Sequence, residues 1–581
     1  MVSYLRYQYR HALKRTTKYR QSLYKGDTMS TEGTVRGAEL VGRALADQGV
    51  TDLFFMMGIG GPHSPAVRSC IEAGIETYYV RHEEAATMAA HAYSRLTKRP
   101  GVCCTPLGPG TTNALTGLTN ALLDAAPVVL IGGGPNRSDW GLEAYQEQDQ
   151  MSMFRPACKK VFRIELARKI PEILAIALHE ANSGRKGPVY VEIAGDVLTE
   201  NVDLARLTWP ARAAKPARAA APETELDAAV ALLRSAERPL LLTGSGIVWA
   251  DAATGLAKCV DSTGIPLVTT PQTRGIVPED HALALVASRN KAQRQADVVV
   301  AVGTRANWLN SHFRAPRFAT DAKFIVANID PSEVGRGRVA DVGIVADAGV
   351  FLDQLTERLA ATGGISASAR GWIDDLISND VDKEPDRQTL SDAVPIDPLR
   401  LCEEVRRVLP RDAVFIVDGH ETLEFARRWI PSLSEANYMT SGPNGCMGVG
   451  VPFALGAKVA CPDRPIFVLM GDGGFGWHGM EFDTLIRHQL PVVGIIFNNA
   501  GFTGRPAAMG TGRELGFQRY DLMVAGFGGY GEFVERPEDI APALQRAIAS
   551  GKPALVNVCV DPDAQAAGGL LGALGSEQAG R

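Results

Sequence analysis

An acid, an amide and a run of glycines stand where two apolar segments end. Asp472 lies in Gly471-Asp472-Gly473, directly after the apolar run Ile466–Met470, and Asn498-Asn499 follow a second run, Val492–Phe497. Short β-branched runs of this kind predict buried parallel strands. Parallel strands joined by a helix bring their carboxyl ends to one edge, where α/β sheets hold their ligands. The carboxylate of Asp472, the amide oxygen of Asn499 and the main-chain carbonyl of Gly501 would there form a hard oxygen site. Such a donor set suits Mg²⁺, with phosphate oxygens completing the octahedron. Asp-Gly is also a common turn, so the pairing with Asn499 carries the reading.

A second candidate is Glu83, in Arg81-His82-Glu83-Glu84. It opens a helix expected over Ala85–Arg95, whose Ala85, Ala86, Ala89 and Ala90 permit close packing. A glutamate at a helix start also answers the helix dipole. Its context adds weight: a strand over Gly101–Thr105 leads into the glycine-rich turn Gly108-Pro-Gly-Thr-Thr-Asn113, then Asp124-Ala-Ala-Pro127 and a strand over Val128–Ile131. His420 and His478 follow expected strand ends and suit hydrogen bonds to phosphate, with proton transfer the other use of an imidazole. Glu84 and Glu481 read as structural acids. Ile59 and His63 flank or occupy a glycine-rich turn that would approach a substrate.

The elements that must position these residues fall into three blocks of alternating strand and helix. We expect three doubly wound parallel-sheet α/β domains. The expected boundaries are 33–204, 225–362 and 396–562. Linkers are expected at 205–224, rich in Ala, Pro and Arg, and at 363–395, which is polar. Residues 563–581 read as a flexible tail or lid. Residues 1–32 read as a disordered or non-native extension: the first 28 are basic, as a transit peptide would be, and Met29 offers an alternative start.

The motifs resemble the acetolactate synthase-like enzymes that depend on thiamine diphosphate (ThDP). His82-Glu83, the Gly108–Asn113 turn, Asp124–Pro127, Tyr145-Gln-Glu-Gln-Asp149 and Gly187-Pro-Val-Tyr-Val191 resemble the pyrimidine-binding domain of that family. Arg238–Leu242, Asp330-Pro-Ser-Glu333 and Asp347 resemble its central domain. Gly445-Cys-Met-Gly448, Gly471-Asp-Gly473 and Asn499 resemble its diphosphate-binding domain. The resemblance implies roles. Glu83 would hydrogen-bond the cofactor's pyrimidine N1′ and so promote proton loss from thiazolium C2. Met447 would prop the bent cofactor. Gly419, His420, Gly471, Gly473 and Gly474 would line the cofactor, and Asp472, Asn499 and Gly501 would ligate Mg²⁺. Tyr145, Gln146, Phe502 and Ile59 would face the substrate. It also implies a homodimer or homotetramer with sites shared between chains.

Within that family, Tyr145–Met151 with Arg155-Pro-Ala-Cys-Lys159, Gly479-Met-Glu481 and Tyr520-Asp-Leu-Met523 look like the oxalyl-CoA decarboxylase and 2-hydroxyacyl-CoA lyase branch. Phe502-Thr503 stand where the decarboxylases carry a tyrosine, and Gly568 and Leu570 where they carry a serine and an arginine. A lost arginine removes a strong carboxylate contact, so oxalate is disfavoured. Gly303-Thr-Arg-Ala-Asn-Trp308 departs from the flavin loop of acetolactate synthase. Arg427 and Arg428 suit either a phosphate or an exposed helix face. The expected activity is therefore cleavage or formation of a C–C bond beside a carbonyl, 2-hydroxyacyl-CoA lyase-like or 2-oxo acid decarboxylase. Acetolactate synthase-like or benzaldehyde lyase-like carboligation is the alternative, and a silent ThDP-fold subunit the non-enzyme one.

Composition narrows the remaining classes. The chain has 581 residues, 45% of them hydrophobic, with 60 glycines, enough for large cores without a run of about 20 apolar residues that would predict a membrane helix. A net charge of −5 does not point to nucleic acid. Nine scattered cysteines without a C-x-x-C pair predict neither a zinc cage nor a disulfide framework, and a cytoplasmic location is expected. Gly244-Ser-Gly246 lacks the third glycine of a dinucleotide fingerprint, Trp249 standing in its place.

Overall fold

A computed structural model describes residues 33–57, 64–212, 217–380, 390–435, 438–502 and 512–566. The described chain forms two compact units. The first unit contains β1 (Thr34–Arg36), β2 (Asp52–Phe55), β3 (Glu76–Tyr79), β4 (Gly101–Thr105), β5 (Val128–Gly134), β6 (Lys160–Ile164), β7 (Val189–Ala194) and β8 (Asn201–Asp203). Six of them make a parallel sheet in the order β3-β2-β4-β5-β7-β6, while β1 and β8 pair antiparallel. Alternate residues of the sheet point to opposite sides. Leu53, Val102, Val129, Ile131 and Val191 join one core, while Phe54, Cys103, Leu130 and Tyr190 are equally buried on the other face. The Glu83–Thr97 helix packs with its backbone against the sheet: a Cβ on Gly101 would collide with the carbonyl of Ala90.

The second unit carries two sheets. One comprises β9 (Pro239–Thr243), β10 (Leu267–Thr269), β11 (Val298–Val302), β12 (Lys323–Asn328) and β13 (Val342–Val345), in the order β10-β9-β11-β12-β13. Val298, Val300 and Val302 enter one core and Val299 and Ala301 the other, which explains why this strand is a continuous apolar run. The other sheet comprises β14 (Val414–Asp418), β15 (Ile466–Gly471), β16 (Val493–Asn498), β17 (Tyr530–Val534) and β18 (Ala554–Cys559), in the order β14-β15-β16-β18-β17. All pairings in both are parallel. The architecture is thus three parallel-sheet α/β domains.

Segment 363–395 is more structured than its polar composition suggests. It carries the Ala367–Asp380 helix, which seals Ala369, Ile373 and Leu376 against the cores of the second sheet. Its last residue, Asp380, accepts the N–H groups of Val286 and Ser288. Of the tail, Ala564 and Ala566 pack on the third domain's core. The expected lid beyond them, with Gly568 and Leu570, lies outside the described residues, as do residues 1–32. Among the described residues no helix is long and apolar enough to cross a membrane.

Candidate active site

In the first unit the geometry centres on Glu83, the first residue of its helix and 7% exposed. The Nδ2 of Asn113 donates to Glu83 Oε2 at 3.0 Å. A Cβ on Gly110 would stand 3.2 Å from Glu83 Oε1, so the turn presses its bare backbone on the carboxyl. That turn is anchored in turn by Gln150, a residue the sequence singled out only as part of a motif. Gln150 Oε1 accepts the N–H of Gly108, and its Nε2 donates to Gly133 O at 2.9 Å and to Glu192 Oε2 at 2.7 Å. Glu192, 1% exposed, is balanced by Arg163 Nε at 2.6 Å. Burial pushes the carboxyl of Glu84 up to about 7.

Gln146 adopts a left-handed φ of +58°, and a Cβ on Gly108 would lie 2.7 Å from its own Cβ. It lines an open cleft of about 570 Å³ with Pro135, Trp140, Asp149 and Arg163. Tyr145 is 82% exposed, so the structure leaves this ring in solvent within its unit. Ile59 and His63 lie outside the described residues.

In the second unit the remaining residues gather at the carboxyl edge of the β14–β18 sheet. The register pairs Gly471 with Phe497 and Asp418 with Met470, so Gly419, Asp472 and Asn499 leave adjacent strands at one level. Asp472 is 1% and Asn499 5% exposed. Asp472 accepts the N–H groups of Gly473, at 2.9 Å, and of Gly501. Burial outweighs these donors and pushes its carboxyl up to about 7. The strand end is shaped by Asn498, whose Oδ1 accepts the N–H of Ala500 at 3.2 Å, Ala500 having φ +60°. Asn498 Nδ2 in turn donates to Asn557 Oδ1 at 3.0 Å. These bonds bring Gly501 back to Asp472.

The edge itself is main chain. Gly419 has φ +102°, and a Cβ on it would meet Gly471 N at 3.3 Å. A Cβ on Gly473 would stand 2.6 Å from the Phe502 ring, and one on Gly474 3.2 Å from Asp418. Phe502 therefore packs directly on the Gly471–Gly474 turn. His420 Nε2 is buried with no hydrogen-bond partner among the described residues. Met447 is 41% exposed. Asp418, 2% exposed, accepts the N–H groups of Gly448 and Gly450, and burial pushes it up to about 6. Nothing in the sequence singled out its carboxyl, because its partners are glycine amides distant along the chain. Glu481 is a structural acid, accepting from Thr484 Oγ1 at 2.6 Å.

Three stretches match thiamine pyrophosphate enzyme domains: the N-terminal TPP binding domain over residues 35–153, the central domain over 226–355 and the C-terminal TPP binding domain over 420–558. The chain is also 32% identical over 569 residues to a 2-hydroxyacyl-CoA lyase of Arabidopsis thaliana, covering 93% of this chain and 98% of that protein. It belongs to the thiamine pyrophosphate enzyme family. Two further relatives in this family are about as similar. The acetolactate synthase large subunit IlvG of Mycobacterium tuberculosis is 32% identical, with 91% of this chain and 96% of that protein covered. The oxalyl-CoA decarboxylase of Escherichia coli is 31% identical, with 93% and 98% covered. The resemblance drawn from the motifs is thereby borne out, and so are the three parallel-sheet domains.

The residues of this ThDP enzyme fit the cofactor. An edge of bare glycine backbone, with a buried imidazole nitrogen beside it, suits diphosphate oxygens. A buried carboxylate that accepts the N–H groups of Gly473 and Gly501 suits a cation, which would draw its pKa back down.

Proposed function

We propose that the protein is a Mg²⁺- and ThDP-dependent enzyme acting on an acyl-CoA, with 2-hydroxyacyl-CoA lyase-like activity. Asp472, Asn499 and the Gly501 carbonyl hold the metal. Gly419, His420, Gly471, Gly473 and Gly474 line the diphosphate, Met447 props the cofactor, and Glu83 shares a proton with pyrimidine N1′. When bound, ThDP supplies a nucleophilic carbon and an electron sink. Asn113 keeps the Glu83 carboxyl aimed, and burial favours one shared proton over two separate charges. Gln146 and Phe502 border the substrate.

The observation that carries the acyl-CoA reading is a cluster of arginines in the second unit. Arg274, Arg317 and Arg427 all repel the guanidinium of Arg289, and with burial, the larger effect, they push it down to about 10. The carboxylates paired with the group are Glu279, bidentate to Arg274 at 2.6 Å, and Glu424, at 2.6 Å from Arg427. Arg289 Nε and Arg274 Nη1 are buried with no hydrogen-bond partner among the described residues. Arg427, whose side chain is 39% exposed, can then serve this cationic group as well as its helix face. Such a group favours a multiply charged anion, as the phosphates of a coenzyme A thioester are.

The test compares substrates. The protein should cleave a 2-hydroxyacyl-CoA to formyl-CoA and an aldehyde. Arg289→Met should raise KM for the thioester about tenfold or more, while KM for a free 2-oxo acid stays put. The equal similarity to an acetolactate synthase supports a second reading, carboligation of pyruvate. A higher kcat/KM for acetolactate formation would replace the lyase reading.

A further inference from the structure

Gly448 is held at both its N–H and its carbonyl. Its N–H donates to Asp418 Oδ1 at 3.3 Å, and Asp418 Oδ2 accepts the N–H of Gly450 at 2.9 Å. Its carbonyl accepts from His478 Nδ1 at 2.8 Å, which puts the ring proton on Nδ1. The two side chains are 2% and 4% exposed. Space at this position admits no side chain. Gly448 has φ +87°, and a Cβ there would lie 2.7 Å from Trp477 Cβ and 2.8 Å from His478 Nδ1.

Met447 immediately precedes this peptide and is 41% exposed. The backbone that follows it therefore helps to set its aim. His478 ends the Asp472–His478 helix, and Asp418 ends β14. The clamp therefore ties the Met447 loop to the two elements that present Asp472 and Gly419.

We propose that Asp418 and His478 are positioning residues that hold Gly448 at its N–H and at its carbonyl and thereby aim Met447 at the cofactor. This rests on the reading of Met447 as the cofactor's prop. Asp418→Asn would turn an NH₂ group toward a glycine N–H, and His478→Phe would remove the donor to Gly448 O. Asp418→Asn leaves the volume nearly unchanged and His478→Phe adds rather than removes volume, so neither empties the core.

The test uses holoenzyme saturated with ThDP and Mg²⁺. Hydrogen–deuterium exchange at cofactor C2 and the cofactor Kd, from tryptophan fluorescence, are measured for both variants, for Met447→Ala and for the two double variants. Each single variant should slow exchange about tenfold, with Kd changed less than about threefold. In the Met447→Ala background the clamp variants should add nothing. Additive losses, or unchanged exchange in both clamp variants, would overturn the proposal. If Asp418→Asn fails to fold, His478→Phe decides alone. Wild-type protein that does not bind ThDP at all would overturn the reading of Met447, and the proposal with it, before any variant is compared.

Discussion

Glu83 keeps its carboxyl between an amide and a bare glycine turn. That arrangement makes its ionisable oxygen, and not its bulk, the quantity that matters. Glu83→Gln should therefore retain ThDP, by fluorescence titration, yet slow C2 proton exchange about a hundredfold or more. At this scale the chain was legible at Asp472 and Asn499, reactive types just past strand ends. Asp472 and Asn499 follow runs that end one residue before the observed strand ends. Gln150 and Asp418 gave no such signal. Their partners include backbone groups of Gly108, Gly133, Gly448 and Gly450, which a sequence shows only as glycines.

At the scale of elements, the buried strands of the three sheets announced themselves through doubly apolar faces. The strands Glu76–Tyr79 and Val342–Val345 did not, because each lies at a sheet edge and stays partly exposed. The turn after β15 is tight enough to test. Gly473→Ala would set a methyl 2.6 Å from the Phe502 ring, an overpacking that should cost about 1–3 kcal/mol in thermal unfolding. Adding Phe502→Leu should return much of that loss. A second prediction concerns His488, just past the Glu481–Arg487 helix. Burial, then the Arg487 charge, pushes its pKa down to about 4. The unfolded chain gains this proton near its ordinary 6.5, before the native one does. The contribution is thus present above that pH and lost as pH falls toward 4, by up to about 3 kcal/mol. Thermal midpoints measured across this window should fall with acid, and His488→Leu should flatten the slope.

At the scale of the whole molecule, Glu83 and Asp472 belong to different compact units, each with its own closed core. In the homo-oligomer that the family resemblance implies, one chain would supply Glu83 and its partner the metal edge. Mixing inactive Glu83→Gln and Asp472→Asn proteins, with subunit exchange, should then restore about a quarter of wild-type activity. Mixtures that stay inactive despite exchange would show that each chain completes its own site. The glycine edge has a wider consequence. On the proposed reading its grip would be written in main-chain atoms, so drift in side chains elsewhere could alter the acyl partner without loosening the coenzyme. A lyase, a synthase and a decarboxylase do stand about equally near this chain, at 32%, 32% and 31% identity.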